Sequence, residues 1–232
     1  AGTYWMKAEV ADSGSYSGLT ETVQFTIKAR PADGIKTITV TAPSVGVDYG
    51  NTLDTSGYTV ANITDAGLVA GLPDGVALAN IIDENAVLGF TTDYVAGNSV
   101  GTYMIVPEGL SVKADKQAEY EIIYAPGTVT VNKKEISLTW SGTEYTYDGR
   151  EHVVTASVGS NELYSGDSIE VTGYEYRKAD KIQNFATDVG EYTAHAVSFT
   201  GVNWNNYTIK ADSANHTWKI NKASGSGQGV GN

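Results

Sequence analysis

Asp188-Val189-Gly190-Glu191-Tyr192-Thr193-Ala194-His195-Ala196-Val197 is the stretch on which the fold turns. From Tyr192 onward, apolar Tyr192, Ala194 and Ala196 alternate with Thr193 and His195. Period-two alternation sends successive side chains to opposite faces of a β-strand. Gly190 lets the chain turn into that strand without a Cβ clash. The same Gly-x-Tyr opening stands at Gly2-Thr3-Tyr4 and at Gly101-Thr102-Tyr103, so the three copies are spaced by 99 and 89 residues. A second tyrosine follows each of them, at Tyr16, Tyr120 and Tyr207. Each unit then closes on an alternating strand that ends in a basic residue: Phe25-Thr26-Ile27-Lys28, Val129-Thr130-Val131-Asn132-Lys133 and Trp218-Lys219-Ile220-Asn221-Lys222.

The front of the unit recurs as well. Ile38-Thr39-Val40-Thr41 leads through Val45 and Val47 to Asp48-Tyr49-Gly50, and Ile136-Ser137-Leu138-Thr139-Trp140 leads through Tyr145 to Tyr147-Asp148-Gly149. Such runs, each ended by a Gly-containing turn, are strand signals. No window carries a sustained helical period. Ala66 to Ile82 comes nearest, but Gly71, Pro73 and Gly75 interrupt it, and it reads as strand, turn and strand.

A repeat of this length matches an immunoglobulin-like sandwich. The Asp-x-Gly-x-Tyr form at Asp188–Tyr192 looks like the tyrosine corner of such sandwiches, in which the ring enters the core and the hydroxyl bonds to backbone just upstream. Tyr4, Tyr103 and Tyr192 are therefore expected as structural corner residues. Antibody domains place a cysteine two residues on; Met6, Ile105 and Ala194 stand there, and the chain has no cysteine, so packing alone must fill the core. The expected fold is all-β: tandem immunoglobulin-like β-sandwich repeats in an extended rod. Residues 1–30 hold the C-terminal strands of a truncated repeat, 31–133 and 134–222 are two repeats, and 223–232 is a flexible Gly/Ser-rich linker. The joint at 28–34 is polar, with Pro and Gly, whereas the second, Lys133-Lys134-Glu135, is short enough to run one unit almost straight into the next. The opening inside a repeat points to a piece of something longer.

Together the Ile-Thr-Val-Thr, Asp-Tyr-Gly, Gly-Thr-Tyr and Gly-Thr-Val-Thr-Val-Asn-Lys motifs resemble the MBG, "mostly beta", repeats of large bacterial surface proteins. The match is strongest over Ile38–Lys133 and extends over Glu135–Lys222. The resemblance implies structural stalk or spacer repeats of an adhesin-like protein, located extracellularly on the bacterial cell surface or cell wall. It implies neighbouring repeats of the same protein as partners and carries over no catalytic residue.

A net charge of −12 without a basic patch argues against nucleic-acid binding, which needs clustered Lys and Arg against phosphate. No apolar run reaches the ~18 residues of a membrane helix. There is no Gly-x-Ser-x-Gly elbow, phosphate loop or cysteine nucleophile, and His152, His195 and His216 form no spaced metal pair. The expectation is no enzyme, no cofactor and no metal, although Asp65, Asp83 and Asp93 lie in loops that can meet a cation. Lys133, Lys134, Asn132 and Asn221 sit near strand ends, where a Lys–Asn cross-link would require burial. Asn62, Asn206 and Asn215 begin Asn-x-Thr sequons.

Binding has one candidate. Trp204, in Gly201-Val202-Asn203-Trp204-Asn205-Asn206-Tyr207, stands among asparagines, where its ring can stack on a sugar or pack on its neighbours. The alternative function is thus a module for host glycan or matrix protein, using loops at a sandwich end. Residues 1–30 give a further expectation. Two strands alone are marginal in water, and their open edges invite strand-swapped self-association.

Overall fold

The computed structural model describes residues 2–10, 19–27, 34–179 and 181–224. Tyr16, residues 28–33 of the expected joint and residues 225–232 of the expected linker lie outside the described residues. The chain is all-β and sandwich-like, with short 3-10 turns between strands. Among the described residues eighteen strands follow one another: β1 (Gly2–Val10), β2 (Leu19–Ile27), β3 (Lys36–Thr41), β4 (Val45–Asp48), β5 (Val69–Ala70), β6 (Gly89–Thr92), β7 (Gly101–Glu108), β8 (Tyr120–Ala125), β9 (Gly127–Asn132), β10 (Lys134–Ile136), β11 (Leu138–Trp140), β12 (Glu144–Thr146), β13 (Ala156–Val158), β14 (Glu170–Lys178), β15 (Lys181–Gln183), β16 (Gly190–Thr200), β17 (Tyr207–Ile209) and β18 (Asn215–Asn221).

The chain forms two compact units. The first comprises residues 1–41, 58–89 and 107–125, and holds the sheet β5-β3-β8. Ile38 and Val40 alternate inward on β3 and pack with Ile63, Leu78, Ile81, Ile82, Leu110 and Tyr120. Ala66–Ile82 departs here from the expected strand, turn and strand. Val69–Ala70 is a strand, but Leu78–Asn80 is a 3-10 turn and Ile82 makes only a single bridge to Val112. One helical turn suits the spacing of Leu78, Ile81 and Ile82, because it aims all three into the core.

β1 and β2 pair with each other from Gly2↔Ile27 to Val10↔Leu19 and with no other described strand. Every described side chain on them is exposed. Tyr4, expected as a structural corner residue, is 44% exposed and stacks on Phe25 with ring centres 5.8 Å apart. A two-stranded ribbon has no opposing layer to bury that ring.

The second unit comprises residues 42–57, 90–106 and 126–232, so the Lys133/Lys134 joint lies inside it. It contains the sheet β4-β9-β7-β6, the pairs β10-β17 and β11-β13, and the sheet β12-β18-β16-β14-β15. Two cores fill it. One gathers Val129, Val131, Ile105 and Tyr49 from before the joint with Ile136 and Tyr207 from after it. The other gathers Tyr176, Tyr192, Trp218 and Ile220 around Val154 and Ala186.

Strand pairing follows one scheme before and after the joint. β3 runs parallel to β8 with Lys36 opposite Tyr120, and β10 runs parallel to β17 with Lys134 opposite Tyr207. β4 runs parallel to β9 with Val47 opposite Val131, and β12 runs parallel to β18 with Tyr145 opposite Ile220. Tyr103 faces Val129 across β7 and β9, as Tyr192 faces Trp218 across β16 and β18.

Candidate functional site

The second unit carries a polar cluster centred on Asp167 and, beside it, a groove that contains Trp204. The cluster begins with Tyr49. It follows β4 directly, and its N–H donates to the Asn132 carbonyl oxygen at 2.9 Å, which holds the chain against the end of β9. Tyr49 continues the inward-facing row of Val45 and Val47, and its ring is fully buried. The ring meets Tyr207 edge-on at 5.3 Å and Tyr164 at 5.9 Å, arrangements that place a positive ring edge on a negative face.

The Asp167 carboxylate is the acceptor of this cluster. Its Oδ2 takes the hydroxyls of Tyr49 at 2.9 Å and Tyr207 at 2.6 Å, and its Oδ1 takes the Asn203 amide at 2.8 Å. The Tyr207 hydroxyl in turn accepts the Tyr164 N–H at 2.8 Å, and the Tyr164 hydroxyl donates to the Ala96 carbonyl oxygen at 2.9 Å. Asn206, a buried polar residue, accepts the Val100 N–H through Oδ1 at 2.9 Å. Hydrogen bonds to an ionised acceptor are about twice as strong as neutral ones, so these tyrosines hold the acid where it is. Burial, followed by the neighbouring Asp167 carboxylate, pushes the Tyr49 hydroxyl up to about 12. The same two causes raise Tyr207 further.

Asn203 connects the cluster to the groove. Its backbone is left-handed, with φ 59° and ψ 17°, a region that Asn tolerates better than most residues. It launches the 3-10 turn Trp204–Asn206, which carries Trp204 to the surface at 37% exposure. The indole lines a cavity of about 300 Å³ together with Ile169, His195, Phe199, Tyr207 and Ile209. That volume is at the small end of ligand cavities, and its aromatic and aliphatic lining with one imidazole suits an apolar ring face.

The remaining candidates fall elsewhere. Tyr192 is buried, and its hydroxyl donates to the Asp188 carbonyl oxygen at 2.7 Å; Tyr103, half-buried, donates to Ser99 at the same distance. His152 bonds to Asp148, His195 to Asn215 and His216 to the Gly142 carbonyl oxygen. No group of three potential metal ligands exists among the described residues. Asp83 and Asp93 accept backbone N–H groups of Asn85 and Met104. Asn132 and Lys133 are exposed, while Asn221 donates to Glu144 at 3.2 Å. Of the sequon asparagines, Asn206 is buried. No helix of the described residues is long and apolar enough to cross a membrane.

Sequence reasoning passed over Asp167 and Tyr164 and took Tyr49 only as a turn residue. A lone Asp in Ser165-Gly166-Asp167-Ser168 reads as a solvated turn, and nothing local marks its partners. No protein-family model matches the chain, and no curated protein matches it either.

Proposed function

We propose that the chain is a non-catalytic structural spacer: tandem immunoglobulin-like repeats, of the MBG kind, from an adhesin-like protein of the bacterial cell surface or cell wall. The observation that carries this reading is the core that runs through the Lys133/Lys134 joint and is locked by Tyr49, Asp167 and Tyr207. A module that only presents loops has no need of a locked joint; a spacer that transmits load or holds reach does. The repeated pairing scheme and the Gly-x-Tyr spacing supply the tandem element. Stretching single molecules of the full chain tests the reading. The expected trace has discrete unfolding steps, and Asp167→Asn lowers the force of the step that opens the joint. A trace without resistance, or one indifferent to Asp167, argues against a spacer.

The second reading is a binding module for host glycan or matrix protein, and the groove at Trp204 favours it. The full chain, screened on glycan and matrix-protein arrays, separates the two. A ligand with a Kd of about 1 μM, or about −8 kcal/mol, whose binding Trp204→Ala abolishes assigns the groove to binding. Residues 1–30 add a self-association reading, supported by exposed Tyr4, Trp5, Met6, Val23 and Phe25 on a ribbon with open edges. Sedimentation should show concentration-dependent dimers that vanish on removing residues 1–30; a strict monomer in both forms ends that reading.

A further inference from the structure

Tyr147 is the counterpart of Tyr49. Each follows the strand that runs parallel to the closing strand, and each donates its N–H to the terminal asparagine of that strand at 2.9 Å: Tyr49 to Asn132, Tyr147 to Asn221. Each stands two residues after an inward-facing residue, Val47 before Tyr49 and Tyr145 before Tyr147. The chain leaves both closing strands through a lysine, Lys133 or Lys222. The two tyrosines differ in their surroundings. Tyr49 is fully buried under Tyr164 and Tyr207, whereas Tyr147 is 44% exposed.

The surface around Tyr147 is ordered by contacts within the segment. Asp148 accepts His152 at 2.9 Å, and His152 bridges in both directions to Ala186. Phe185, beside that bridge, is 43% exposed. Tyr147 thus stands directly after β12 with its ring half in water. The molecule itself shows what covers such an end: a following β segment that presents a carboxylate between two tyrosines.

We propose that the Tyr147 end of residues 134–222 is a docking seat for a further segment of the same kind. Groups equivalent to Asp167, Tyr207 and Tyr164 of that segment close over Tyr147 as they close over Tyr49. The proposal rests on the tandem-repeat reading. The occupant is chosen by chemistry: the phenol seeks a carboxylate, and its ring seeks two aromatic edges.

The test joins a second copy of residues 134–222 directly after Lys222, in place of residues 223–232, with Tyr147→Phe marking the added copy. Tyrosine nitration by tetranitromethane, located by peptide mass spectrometry, reads the exposure of Tyr49 and of the original Tyr147. In the 232-residue chain Tyr49 is expected to resist and Tyr147 to react. In the extended chain Tyr147 should react about tenfold more slowly, the factor expected when reaction waits on local opening. Asp167→Asn in the added copy should restore part of the reactivity. An added copy that stays unfolded, or a Tyr147 that reacts as fast as before, overturns the proposal while leaving the spacer reading intact. Rapid nitration of Tyr49 overturns that reading instead. Protection of Tyr147 in the unextended chain that grows with concentration assigns the seat to a second copy and overturns the proposal as well.

Discussion

Tyr192 shows how one residue can serve both packing and hydrogen bonding. Its ring stacks on Trp218 at 5.1 Å, and its hydroxyl returns to Asp188. Truncation to Ala removes a buried aromatic, and ~3–5 kcal/mol of stability should go with it. Tyr192→Phe keeps the ring and loses the hydroxyl, so about 1 kcal/mol is expected. Tyr103→Ala should cost less than Tyr192→Ala, because Tyr103 is only half-buried. Urea unfolding of the three variants, at an unchanged m value, checks the order. A Phe variant as damaging as the Ala variant would mean that the hydroxyl, and not the ring, is the anchor.

At the scale of the strand, glycines divide into those the packing requires and those it does not. A Cβ on Gly127, at the start of β9, would lie 2.3 Å from the Pro43 carbonyl oxygen and 2.4 Å from that of Ala42. Backbone cannot yield as a side-chain tip can, so Gly127→Ala should lose about 1–3 kcal/mol and open the β4–β9 pairing. Gly57 has open space around its would-be Cβ. Gly57→Ala should gain ~0.4–1 kcal/mol by restricting the unfolded chain. Thermal melts of the two variants should move in opposite directions. The strands themselves were legible, since alternation is a local signal: Val129 and Val131 are buried on β9 with exposed neighbours. The 3-10 turn at Leu78–Asn80 was not, because Gly71, Pro73 and Gly75 mask a helical turn too short to show a period.

For the whole molecule the Asp167 cluster predicts behaviour at high pH. In the unfolded chain a tyrosine ionises near ~10. Folded Tyr49 keeps its proton up to about 12, and Tyr207 holds its own still longer. Between those values the unfolded state has released protons that the folded state retains, so stability falls as pH rises. The stabilisation is complete below ~10 and is lost on passing through about 12 for Tyr49. Tyr49→Phe should flatten this decline over pH 10–12, and melting temperatures measured across that window test it. Asp167→Asn should lower stability at neutral pH as well, by about 1–3 kcal/mol, since it weakens hydrogen bonds to a charged acceptor.

The amino-acid sequence by itself determined what local geometry can encode. Period-two alternation placed the strands, and Gly-x-Tyr set a hydroxyl four residues from its backbone acceptor at Tyr103 and Tyr192. Turn residues marked where β4 and β12 end. Only the tertiary structure decided which side chains meet across the chain. Asp167 joins Tyr49, 118 residues away, to Tyr207, 40 residues away, and no spacing or periodicity links positions so far apart. It also decided that Tyr49 and Tyr147, each placed directly after a short strand, differ in burial. Burial is a property of what lies against a ring, and Tyr164 and Tyr207 lie against Tyr49.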